Sequence, residues 1–188
     1  MAESFTNKIV RAAGIVSTTD AGAAIGAGAS AITSIQTADL NVGDLVVNQH
    51  FRAGAKIYSI TNSTSLLVDR TSTNTAAATG QIVKFLGVTT AYTSPAATKS
   101  ILIGGTFSNL TNNDINVYVE VVDQSASVSG VAGISSVQLA SDIPIPNGSS
   151  FVISEAGKTI LEAFDQVTVY CDTADAVDVN LAILSGVS

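Results

Sequence analysis

From about residue 101 onward, apolar and polar positions alternate with a period of two. Ile115, Val117, Val119 and Val121 alternate with Asn116, Tyr118, Glu120 and Val122; Val177, Val179, Leu181 and Ile183 alternate with Asp178, Asn180, Ala182 and Leu184. Successive side chains of a strand point to opposite faces, so this period marks half-buried strands. Read this way, the region predicts strands over 101–108, 115–123, 135–143, 149–155, 158–163, 166–172 and 177–185. The prolines of IPIPNGSS (143–150) predict a sheet-edge or crossover turn, and Gly157 in SEAGKT predicts a hairpin turn. About seven short strands in so few residues predict an antiparallel β-sandwich over residues 101–188.

The same reading organises the rest of the chain. Residues 31–86 predict a small β module: strands over 44–51, 55–60, 65–70 and 81–86, separated by the turns Asn41–Asp44, Arg52–Gly54 and Thr61–Thr64. With few aromatics, such a module has a marginal core of its own. Residues 87–100, polar and carrying Pro95, predict a linker. Residues 1–30 do not alternate. Ile9 to Ala13 suits a short helix, and the glycines from Gly14 onward are too many for a stable one. An extended arm that docks on another subunit or partner is expected there. The fold class expected for the whole chain is all-β.

Composition adds a surface property. The 188 residues are 46% hydrophobic and only 12% charged, so Thr, Ser and Asn must cover the exposed strand faces. Such a surface has little charge to oppose pairing of sheet edges, which predicts capped edges or burial in an assembly. The net charge is −7, and the eight Lys and Arg are scattered, so no phosphate-contacting surface and no nucleic-acid partner are expected. No apolar run suits a signal peptide or a transmembrane helix, so no membrane association is expected. A single cysteine excludes an intrachain disulfide and fits synthesis in a reducing cytoplasm.

Candidate chemistry is thin. GAAIGAGAS (22–30) lacks the Gly-Lys-Ser/Thr ending through which a phosphate loop reaches its nucleotide. His50, the only histidine, reads as a surface or interface residue more readily than as a catalytic base. Asp172, Asp175 and Asp178 have a carboxylate density that suits Ca²⁺, but not EF-hand spacing, and read first as a solvated hairpin loop. Glu155 and Glu162 form a possible carboxylate pair whose separation nothing in the sequence fixes. Three glycosylation triplets, at Asn62, Asn109 and Asn147, are expected by chance in so Asn- and Ser-rich a chain. No catalytic residue, metal site or cofactor is expected, an enzyme is not expected, and a small-molecule ligand is disfavoured.

The stretch ILEAFDQVTVYC (160–171) carries an immunoglobulin cue, a strand led by Asp165 and ending in Cys171. The cue is half there: Val169 stands where the immunoglobulin tyrosine belongs, and no partner cysteine exists. Cys171 therefore reads as a small buried hydrophobe.

The last region resembles a small β-sandwich domain of virion structural proteins of tailed bacteriophages. The resemblance runs through Ile143-Pro144-Ile145-Pro146, Ser150–Ile153, Gly157-Lys158 to Ala163, Asp165-x-Val167-x-Val169 and Val177 to Leu184. The middle region, through Val42–Val46, Ala53–Ile60 and Gly80–Phe85, resembles short β modules of phage tail and fibre proteins. With SFTNKIVRAAGIV (4–16) the whole is similar to proteins of cyanobacterial phages. The resemblance implies a non-enzymatic virion component, made in the host cytoplasm and repeated as a homo-oligomer among other virion proteins. A neck, tail or fibre-base accessory is favoured, with capsid decoration close behind. A carbohydrate-binding or adhesin-type module is the other reading. A chain without Trp and with four Tyr is poorly equipped for it.

Overall fold

The computed structural model describes residues 3–124 and 135–187, apart from the side chains of 155–157. Those residues are all-β. The first strands are β1 (Ser4–Ala13), β2 (Ile15–Ile25), β3 (Ala31–Thr33), β4 (Leu45–Val47), β5 (Ile57–Asn62), β6 (Ser65–Val68) and β7 (Ala78–Gly87). The remainder are β8 (Thr89–Thr93), β9 (Lys99–Asn109), β10 (Ile115–Asp123), β11 (Ser135–Ile145), β12 (Ser150–Leu161), β13 (Gln166–Cys171) and β14 (Val177–Val187). No helix among the described residues is long and apolar enough to cross a membrane. Two compact units divide the chain: Met1–Gly14 with Thr89–Ser188, and Ile15–Val88.

The first unit is a β-sandwich of two four-stranded sheets, ordered β1-β14-β9-β12 and β11-β10-β13-β8. Its pairs are nested: β1 with β14, β8 with β13, β9 with β12 and β10 with β11, all antiparallel. The contacts β14–β9 and β10–β13 complete the sheets. Eight strands nested this way in two sheets have jelly-roll connectivity. The inward faces meet in one core that includes Leu102, Phe107, Val117, Val119, Leu161, Val167, Val169, Val179, Leu181 and Ile183. Each such side chain contributes about 1.5–3 kcal/mol on burial.

The second unit is a six-stranded sheet, β4-β7-β2-β3-β6-β5, around Ile25, Ile32, Val46, Phe51, Ile57, Leu66, Val83 and Phe85. Its outer strands meet. Leu45 bridges Lys56, Val46 N–H donates to Ala55 C=O at 2.8 Å, and Ile57 N–H donates to Asp44 C=O at 3.0 Å. The sheet thus closes into a small barrel, which removes its free edges.

Several sequence expectations are corrected here. The described residues 3–30 are no arm, and Ile9–Ala13 is not helical. β1 runs along the C-terminal β14 from Ser4 opposite Ser185 to Ala13 opposite Val177. Its partner lies at the other end of the chain, beyond the reach of a local pattern. β2 forms, with Gly22 inside it, because β7 and β3 flank it on both sides. The module expected over 31–86 accordingly begins at Ile15. The supposed linker 87–100 contains β8, whose Ala91 and Tyr92 lie in the sandwich core. No hairpin forms at Gly157: β12 pairs with β9 on both sides of a register shift between Ser154 and Thr159. The crossover turn after IPIP is present. Ser149 N–H donates to Pro146 C=O at 3.1 Å, and the turn carries the chain from β11 in one sheet to β12 in the other. Pro144 sits on an edge strand, where its missing N–H costs nothing.

Gly14 is where the chain leaves the sandwich. Its φ of +123° disfavours other residues, and a Cβ there would lie 2.5 Å from the Thr173 carbonyl oxygen.

Candidate interaction surface

The structure assigns structural hydrogen bonds to most groups that the sequence singled out. In the glycine-rich turn, Gly28 N–H donates to Asn74 C=O at 3.1 Å and Ala29 N–H to Gly26 C=O at 3.2 Å, so these donors face protein rather than an anion. The His50 ring meets the Gln81 amide oxygen at 3.1 Å, and its backbone N–H donates to Asn48 Oδ1 at 2.8 Å. The three aspartates do not converge. Asp172 Oδ1 accepts from Asn116 N–H at 2.9 Å, Asp175 N–H donates to Gly14 C=O at 3.0 Å, and Asp178 Oδ1 accepts from Ala12 N–H at 3.0 Å. The last bond holds a bulge in β1 at which Ala12 is left-handed. No group of three His, Cys, Asp or Glu suited to a metal occurs among the described residues. Glu162 pairs with Lys99 at 2.9 Å, whereas the Glu155 side chain lies outside the described ones. Asn109 is buried and donates through Nδ2 to the carbonyls of Asn113 and Ile145, which leaves no room for a glycan.

Cys171 is fully buried beside Val169 in the sandwich core. Asp165 is buried at the corner before its strand and is a bidentate acceptor: Oδ1 takes Gln124 N–H at 3.0 Å and Oδ2 takes Glu162 N–H at 2.9 Å. These bonds close a turn in which Phe164 is left-handed, with φ +71°.

The alternation along β10 suggests one wet face, but Tyr118, Glu120 and Val122 are buried as well as Val117 and Val119. Tyr118 donates to Asp142 Oδ1 at 2.7 Å, and Gln138 donates to Glu120 Oε1 at 3.3 Å. Burial pushes the Tyr118 hydroxyl well above its ordinary range, and the Asp142 carboxylate adds to the shift. Thr168, directly opposite Glu120, is buried too. A period-two pattern does not reveal this second burial, because Tyr, Glu and Thr read as outward residues.

The outer face of the sheet β1-β14-β9-β12 is the opposite case, apolar and exposed. Its register sets side chains in rows across all four strands. Phe5, Leu184, Ile101 and Ile160 form one row; Asn7, Ala182, Gly104 and Ser154 the next; Ile9, Asn180, Thr106 and Val152 the third. None of these twelve side chains is ionisable. Phe5 is 74% exposed, Ile9 70%, Ile160 60% and Val152 56%. The first row is large throughout, with Leu184 and Ile101 on the middle strands; in the other two rows the middle strands carry only Ala182, Gly104, Asn180 and Thr106. There Gly104 lets β9 and β12 approach: a Cβ on it would lie 2.7 Å from the Ile153 carbonyl oxygen. A depression of about 240 Å³ results, lined by Gly104, Gly105, Thr106, Val152, Asn180 and Ala182 among others. Eight of the twelve side chains are apolar, and Asn7, Ser154, Asn180 and Thr106 are polar but uncharged; exposed apolar side chains clustered in this way mark interaction surfaces. The sequence holds the alternation of these strands, but their shared face depends on register between distant segments.

Compared with protein families, curated proteins and solved structures, the chain matches none.

Proposed function

We propose that this chain is a non-enzymatic structural component of a tailed-phage virion that works as a symmetric oligomer. A neck, tail or fibre-base accessory is favoured over capsid decoration because the module around 31–86 resembles those of tail and fibre proteins. The observation that carries the reading is the exposed apolar sheet face without an ionisable side chain in its three rows. A face of that kind gains by being covered in an assembly, where closed symmetry is the usual solution. The jelly-roll connectivity is in keeping with it, since capsid domains use this architecture, although fold alone assigns no function.

Carbohydrate recognition is the second reading, since lectin domains also use jelly rolls. The exposed aromatics are scattered, Phe5 on β1, Tyr58 on β5 and Phe164 in the turn between β12 and β13, so no one element offers a shared stacking platform.

Mass spectrometry of purified virions with copy numbers tests the proposal. Roughly six to eighteen copies are expected for a ring at the neck or tail, and hundreds for head decoration. Absence from the particle refutes the virion reading, and a specific hit on a glycan array promotes the second.

A further inference from the structure

We infer that the outer face of the sheet β1-β14-β9-β12 binds the same face of a second copy of this chain. The inference deepens the self-assembling reading above and rests on it; what it adds is the surface and its occupant. The four strands, spaced about 4.8 Å apart and rising about 3.3 Å per residue, present a face of roughly 20 by 30 Å. Its projected area is near 600 Å², of which the three uncharged rows, about 16 Å along the strands, make up roughly half; Asp178 stands on the same face one row beyond Asn180. With corrugation by its side chains, the whole face approaches the roughly 800 Å² per partner that a stable complex buries.

Charge selects the occupant. The chain carries a net −7, so two copies repel wherever their charged surfaces meet. The twelve paired side chains of the three rows are not ionisable, so a second copy meets no like charge from them, although the β12 bulge between Ser154 and Thr159, which carries Lys158, interrupts the rows. Neither do they present a charge by which an oppositely charged partner is recognised. Shape agrees with a two-fold contact, in which one patch must complement itself. Phe5 and Ile9 form a ridge on one edge, Val152 and Ile160 a ridge on the other, and the depression at Gly104 lies between them. Each copy thus supplies side chains that project and a hollow to receive them. Two sheets packed face to face, about 10 Å apart, make a layer like the interior of a sandwich.

Sedimentation velocity on the full chain tests this, comparing the parent with Ile9→Lys/Val152→Lys and with Val137→Lys. Val137 is 66% exposed on β11 of the other sheet and is the control. A parent dimer, or an even-numbered assembly of dimers, is expected, with at least tenfold weaker association in the double variant and none lost in the control. A parent that stays assembled when both lysines are introduced overturns this face and leaves self-assembly standing. Equal dissociation of the control also overturns it. A monomeric parent at about 100 μM overturns the inference outright, while the virion reading still answers to copy number in the particle. If the double variant loses its β-sheet circular dichroism, the uncharged, strand-compatible pair Ile9→Thr/Val152→Thr replaces it; weaker association than the parent is expected, and unchanged association overturns the inference.

Discussion

Replacing Asp165 by Ala removes one carboxylate and two hydrogen bonds. The parent side chain is 5% exposed, and it receives the N–H groups of Gln124 and Glu162 at 3.0 and 2.9 Å. Bonds to a charged acceptor contribute about 1.5–3 kcal/mol each. Gln124 and Glu162 are themselves exposed, so water reaches the orphaned donors and the lower end applies. The expected loss is about 3 kcal/mol. The turn also holds Phe164 at φ +71°, a conformation that a bulky residue avoids. Two backbone bonds to Ser94, from Phe164 N–H and into Asp165 C=O, remain after the substitution. They keep the corner in place, so loss of stability rather than loss of fold is expected. Asp165→Asn keeps one acceptor but turns an amide N–H toward a backbone N–H, so it is expected to cost half of the Ala value or more. Urea unfolding of the full chain, followed by circular dichroism, measures this. With a slope of about 2 kcal/mol per M, the sandwich midpoint should fall by roughly 1.5 M for Ala and 0.7 M or more for Asn. A shift below about 0.25 M for Asp165→Ala refutes the reasoning, because water would then replace the carboxylate at no cost.

Three other outcomes are expected. Gly14→Ala combines a φ of +123° with a Cβ 2.5 Å from the Thr173 carbonyl oxygen, so thermal or urea unfolding should show a loss of about 3 kcal/mol or more. The Cys171 thiol, fully buried, should not react with a chromogenic thiol reagent until urea unfolds the sandwich; Cys171→Ser should cost more than Cys171→Ala because it buries a hydroxyl. Asp44 is buried, and desolvation raises its pKa above 3.8 despite bonds from Asn41 N–H and Ser17 Oγ. The native state therefore holds that proton more tightly than the unfolded chain. The stabilising contribution is fully present below pH 3.8 and is lost as pH rises through the raised native value. Relative to Asp44→Asn, the parent should gain stability as the pH is lowered from 7 toward 4, read as the difference between their urea midpoints.

Much of this protein is legible along the chain. Strict alternation in β10 and β14 marks them as strands, since a period of two needs only the local backbone. Turn chemistry places Asn41–Asp44, where Asp44 N–H donates to Asn41 C=O, and Pro146–Ser149, where the N–H of Ser149 donates to Pro146 C=O. Cys171 reads as a core residue because its strand alternates and no second cysteine exists. These features follow from residues within a few positions of one another.

The remainder depends on partners far away in sequence. Ser4–Ala13 is a strand because β14 lies beside it, and Thr89–Thr93 is a strand because β13 does. Likewise Tyr118, Glu120 and Thr168 belong to residue types that alternation assigns to solvent, yet the folded chain buries them. The apolar face exists only when Phe5, Leu184, Ile101 and Ile160 come into one row from four separate segments. Sequence determined strands such as β10 and β14 and most turns through local geometry. Tertiary structure decided the nesting, the division that makes Ile15–Val88 a unit of its own, and the shared face, because inter-strand register is fixed by pairing between distant segments.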